Sequence, residues 1–178
     1  MLTGIVHTAL QVCDGTDYRV EGPCTFCGGT LSGYDVRTKR FAILCDEEGD
    51  HPVAVSLYRA YCRSCGRIIL PDEPFYPGTR MGSPVVDLCR ALAETMPCGR
   101  VTTRLEQMGV RIDRWSVRSY TRKQIAPFPM VAVFGMMIPV SIISLSALAG
   151  SGGDTGHAGG EDILTACRFP SRHVPGQE

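Results

Sequence analysis

The chain has 178 residues, with 18 basic and 18 acidic side chains and no formal net charge, so as a whole it is neither a polycation nor a polyanion. That length suits one domain or two small ones. Its nine cysteines are an odd number, and "MLTGIVHTALQVC" has no basic stretch before an apolar run, which argues against a secreted disulfide framework. The expectation is a reduced, cytoplasmic protein whose paired cysteines serve a metal or a redox site.

Residues 1–22 read as an N-terminal extension. From 23 to 70 the signal is stronger. "CTFCGG" begins at Cys24 and "CRSCGR" at Cys62, giving the spacing C-x2-C-x34-C-x2-C. Two sulfurs three residues apart can grip one ion from a tight turn. Gly28 and Gly66 can take positive φ, which lets backbone N–H groups point at the sulfurs. Four thiolates, Cys24, Cys27, Cys62 and Cys65, suit Zn2+ in a closed tetrahedral site; redox iron, as in rubredoxin, is the alternative, because soft thiolates accept either metal. Between the pairs, Thr38–Cys45 and His51–Cys62 read as strands, with Val53, Val55 and Leu57 on one face. Acidic Asp46–Asp50 is the turn. Knuckle, hairpin, knuckle makes a small zinc ribbon.

Residues 82–123 read as helices. In Gly82–Pro97, Ser83 is the expected N-cap, Pro84 the first helical residue and Asp87 a first-turn acid. Val85, Leu88, Cys89, Leu92, Ala93 and Met96 form one apolar stripe. Arg100–Met108 is a second helix with Val101, Leu105 and Met108 inward, closed by Gly109. Val110 and Ile112 dip toward the core, and Asp113 caps a third helix, Arg114–Lys123, with Val117 and Tyr120 inward. A supporting helix before helix, glycine turn and helix is the arrangement of a helix-turn-helix unit. Residues 99–123 carry seven basic and two acidic side chains, the local excess that phosphate contact requires. Arg100, Arg104, Arg114, Arg118, Ser119 and Arg122 are the candidate DNA contacts; Trp115 reads equally as core or as a backbone contact.

From Gln124 to Gly153 there is no charge. Met130–Ala149 is 20 residues long, enough to cross a bilayer, and Arg118, Arg122 and Lys123 before it would keep the N-terminal modules in the cytoplasm. The other reading splits the apolar segment, 128–149, at Pro139 into a strand, Met130–Phe134, and a helix, Val140–Ala149, that close the core. Residues 150–178 read as a Gly-rich flexible tail, with six glycines among the eleven residues 150–160. Glu161–Cys167 has room for one or two helical turns, and His157, His173 and Cys167 match no metal-site spacing.

The expected fold is thus α+β: a four-cysteine ribbon, a three-helix module, an apolar segment and a tail. Pro23–Lys123, with "YRAYCRSCGRI" entering the second cysteine pair, resembles the N-terminal region of insertion-sequence transposases and the stand-alone archaeal proteins that share it. The resemblance implies that the metal shapes the ribbon, that the helices bind inverted-repeat DNA, and that Arg114, Arg118 and Arg122 lie near it. It does not extend to catalysis. Only 55 residues follow Lys123, and their acids are Asp154, Glu161, Asp162 and Glu178, too few and too late for convergent two-metal chemistry. The expected function is a non-catalytic, zinc-containing DNA-binding protein, a regulator or a transposase-derived fragment. The alternatives are a membrane-tethered DNA-binding sensor anchored through 130–149 and an iron–thiolate electron carrier. DNA is the expected partner, with a second copy of the chain as a further one.

Overall fold

The computed structural model describes residues 2–151 and 158–168. In chain order the elements are α1 (Leu2–Gln11), β1 (Asp17–Arg19), β2 (Leu31–Asp46), β3 (Gly49–Cys62), β4 (Ile68–Ile69), α2 (Ser83–Ala93), α3 (Cys98–Gln107), α4 (Arg114–Arg122), β5 (Met130–Val133), β6 (Met136–Pro139), α5 (Val140–Ser151) and α6 (Gly160–Ala166). The fold is mixed α and β, with six helices among the described residues.

The central feature is the antiparallel β2–β3 hairpin, whose register runs from Leu31↔Cys62 to Asp46↔Gly49. At its turn Asp46 Oδ1 accepts from the Glu48 and Gly49 amides at 2.8 and 3.2 Å, and Gly49 takes the positive φ that a side chain resists. β2 begins seven residues before the strand read from sequence. Residues 33–40 are mostly exposed on both faces, so they show no alternation of apolar and polar side chains. Backbone pairing with β3 makes the strand there, and periodicity is blind to it. β1 pairs parallel to β3, and β4 antiparallel to it.

Near its turn the hairpin enters the core. Phe41, Ala42, Leu44, Val53, Val55 and Leu57 are buried against helices. In α2, Gly82 occupies the N-cap position expected for Ser83. A Cβ at 82 would overlap the Phe41 ring, while the Gly82 amide donates to the Phe41 carbonyl at 2.8 Å. Ser83 is pulled inside the helix and buried. Asp87 lies past the first turn and is 2% exposed, accepting from Tyr76 Oη at 2.7 Å.

The next two helices follow the sequence closely. Val101, Leu105 and Met108 of the α3 region and Val117 and Tyr120 of α4 are buried. Gly109 has φ +78° and Asp113 Oδ1 accepts from the Ser116 amide at 2.8 Å. The α3–α4 connection is itself paired to β2: Cys45 donates to the Gly109 carbonyl and Arg111 to the Ile43 carbonyl, both at 2.9 Å, around a Leu44↔Val110 bridge.

The apolar run of 130–149 is divided. β5 and β6 form a hairpin turned by Phe134 and Gly135, and α5 follows Pro139. No helix among the described residues is long and apolar enough to cross a membrane, so the single-pass reading of 130–149 is replaced by the split one. α5 is apolar all round because it packs between α1 and α6, with Ile142 and Leu145 fully buried. Two other segments do more than the sequence reading gave them. In the extension, Val6, Ala9, Leu10 and Cys13 are buried core residues. In the tail, residues 152–157 and 169–178, with His157 and His173, lie outside the described residues. Over 160–168 the expectation of a solvated tail fails: Ile163, Ala166 and Cys167, spaced i, i+3, i+4, seat α6 in the core.

Candidate functional site

Two turns of the same build sit side by side at the open end of the hairpin. In each, the amide of the glycine after the second cysteine donates to the first cysteine's carbonyl: Gly28 to Cys24 at 2.8 Å, Gly66 to Cys62 at 2.9 Å. Both glycines have φ +71°. The first cysteine's amide then closes the loop, Cys24 onto the Gly29 carbonyl and Cys62 onto the Arg67 carbonyl, both at 2.9 Å. Because Leu31 pairs with Cys62, the hairpin register sets one turn against the other.

The four sulfurs converge. Cys27 and Cys62 Sγ are 3.4 Å apart, Cys24 and Cys65 Sγ 3.8 Å, and all four lie within 4.8 Å of one another. A tetrahedral ion with metal–sulfur bonds near 2.3 Å sets its sulfurs about 3.8 Å apart. The donor set therefore fits one thiophilic ion, and these four cysteines are close enough to hold it. None is in a disulfide. Backbone amides bias the cluster toward ionisation: the Cys65 N–H pulls the Cys62 thiol down to about 6. The Gly29 N–H acts the same way on Cys27, but the Cys62 sulfur, burial and then the Cys65 and Cys24 sulfurs outweigh it and push Cys27 up to about 12. Facing thiols that share a proton release the first easily and the second only when a cation replaces it.

Three of the remaining cysteines behave differently. Burial pushes the Cys13 and Cys89 thiols far up and the Cys167 thiol up to about 12, so they are packing groups.

The basic residues divide into two sets. Arg114, Arg118 and Arg122 are exposed along α4, Ser119 is half-buried beside them, and Trp115 is 82% exposed, which resolves it as a surface residue. Val117 and Tyr120 anchor the opposite side of the helix. On α3, Arg100 is exposed, whereas Arg104 turns aside: it donates to Gln107 Oε1 at 3.1 Å and reaches Met136 Sδ at 2.9 Å. Arg111 holds the α3–α4 connection, pairing with Asp50 at 2.6 Å and Glu106 at 3.0 Å.

Sequence reasoning passed over a third group. Phe26, Tyr34 and Tyr61 are exposed around the cysteine turns, with arginines stacked on two of the rings. The signal was the clustering of aromatic and basic residues in "SLYRAYCRSCGR" itself. The chain matches no family model, no curated protein and no solved structure.

Proposed function

We propose that the protein is a non-catalytic DNA-binding protein in which a zinc ribbon, closed by Cys24, Cys27, Cys62 and Cys65, buttresses a helix-turn-helix unit made of α2, α3 and α4. The observation that carries the reading is the exposed row of Arg114, Arg118 and Arg122 on a helix whose other side is anchored by buried Val117 and Tyr120. Such a helix offers fixed charges at helical spacing to a phosphate backbone or a groove. Trp115 beside them adds an aromatic surface. The four-thiolate set accepts zinc or iron alike; the basic segment 99–123, which a small electron carrier does not need, favours zinc as a structural ion. The α3–α4 connection is hydrogen-bonded to β2 near the hairpin turn, which supports a helix pair held against the hairpin.

Two measurements on one preparation test the reading. Elemental analysis should give one zinc per chain, and a red, iron-loaded protein would overturn that part. Replacing Arg118 and Arg122 by Ala should weaken duplex binding at unchanged metal content. Loss of two phosphate contacts lowers the slope of log affinity against log salt by roughly 1.8. A double variant that binds duplex DNA as the parent does, with the same slope, would sink the DNA reading.

A further inference from the structure

The cysteine end carries a second surface, independent of α4. Four exposed apolar side chains cross it in a row. Tyr34 stacks on Tyr61, with ring centroids 6.4 Å apart and planes 29° from parallel. Tyr61 is the register partner of Ile68 across β3 and β4, so both point to one face of the sheet. Ile68 and Phe26 line the same groove. The three rings are 52%, 37% and 60% exposed for Tyr34, Tyr61 and Phe26. Rings so open contribute little to the core, and the small buried cluster beneath them does not include them.

The row is built rather than accidental. Tyr34 is the extra residue at a register shift between Gly33 and Asp35, and a bulge of this kind re-aims a side chain. Arg59, held by Asp35, lies over the Tyr34 ring at 5.2 Å, and Arg67 over the Phe26 ring at 4.3 Å. Arg37 and Arg63 are exposed nearby, with no carboxylate partner among the described residues. Planar rings interleaved with guanidinium groups provide stacking for bases and charge for the phosphates between them. A duplex hides its base faces, so only an unpaired strand can use such rings.

We propose that this face binds single-stranded DNA, with bases stacked on Tyr34, Tyr61 and Phe26 and phosphates held by Arg37, Arg63 and Arg67. The acids set its direction. Asp17, Glu21, Asp72 and Glu161 line the groove that Ile68 and Phe26 share, with Arg19 paired to Asp17, so phosphates are turned away from that groove and lie on the side of Arg37, Arg63 and Arg67. The surface does not depend on α4 binding duplex.

The test uses the full, metal-loaded chain with fluorescein-labelled oligo(dT), oligo(U) and a mixed-sequence duplex. Oligo(dT) should bind and quench tyrosine emission. Tyr34→Ala and Phe26→Ala should each weaken it on the order of tenfold, while Tyr34→Phe, which keeps the ring, should restore parental affinity. Metal content should be unchanged in all three. Arg118→Ala with Arg122→Ala should leave oligo(dT) binding intact; if that pair abolishes oligo(dT) and duplex binding alike, the two surfaces are not separate and the proposal falls. It falls too if oligo(dT) does not bind, if the ring variants bind as the parent does, or if oligo(U) binds more tightly than oligo(dT). Failure of duplex binding alone would remove the α4 reading and leave this one standing.

Discussion

At the cysteine end of the β2–β3 hairpin, Cys24, Cys62 and Ile69 make up a small buried cluster of their own, with Val20 and Leu31 packed against it. At the turn end, Phe41, Leu44, Val53 and Val55 belong to a core shared with α1 through α6. The same two strands therefore stand on a small buried cluster at one end and on the main core at the other. A few side chains at about 1.5–3 kcal/mol each do not offset the chain entropy of two turns and the strands leading to them. A metal bound by the four thiolates would. The turn end needs no cross-link, because burial alone suffices. Small, polar segments are tied by chemistry, and larger apolar ones by the exclusion of water.

The largest effect expected from this contrast comes with metal removal. Chelation, or Cys62→Ser, should remove on the order of 10 kcal/mol from the cysteine end and unfold it. Amide exchange should then rise in residues 23–36 and 58–70 while α2, α3 and α4 stay protected. If the helices lose protection in step, the two ends are one cooperative unit and the contrast is wrong. Next in size is Phe41→Ala, which should cost about 3–5 kcal/mol by leaving a cavity under α2. It should lower the melting temperature while the folded protein keeps its full metal content.

Asp87 gives a sharper, pH-dependent test of the turn end. Burial raises its carboxyl from 3.8 to about 6, against the Tyr76 hydrogen bond and Arg90, which act to lower it. The folded state thus holds this proton more tightly than the unfolded chain. The Asp87 contribution to stability is fully present below about pH 4 and is lost as pH rises through about 6. Asp87→Asn should be more stable than the parent at pH 7 by about 3 kcal/mol, and the difference should vanish near pH 4. Denaturant melts of both proteins at the two pH values measure it; a difference independent of pH would discard the mechanism. Smallest is Asp113→Ala, which removes the α4 cap and should cost about 1 kcal/mol with no change at the cysteine end.

The parts legible from sequence are those with local causes. The cysteine spacing, the glycines after each pair, the Asp113 cap and the inward positions of α3 and α4 all follow from a few neighbouring residues. What was not legible depended on partners far along the chain. Residues 33–40 form a strand because β3 lies beside them, although their side chains carry no pattern. The uniform apolarity of 130–149, read alone, matched a bilayer span. In the fold it reflects a helix enclosed by α1 and α6, and a hairpin whose Ile138 is buried. The N-terminal helix did leave a signal, Val6, Leu10 and Cys13 at i, i+4, i+7, and only its packing against α5 shows what the stripe is for. Ser83 lost the expected capping role to Gly82 because Phe41, 41 residues earlier, leaves no space for a Cβ there.

The bridge between Leu44 and Val110 gives the hairpin a further significance. It pins the helix pair at one end of β2, while Leu31 and its partner Cys62 stand at the other. Thirteen residues of extended chain at about 3.3 Å each separate those points by roughly 40 Å. One turn of duplex DNA is about 34 Å. If α4 holds the duplex arm and the aromatic row the unpaired strand of one DNA molecule, the hairpin acts as a ruler that sets the two more than one helical repeat's length apart. Its length would then be set by the number of paired residues in the strands, so that deleting a cross-strand pair should shorten the protected stretch.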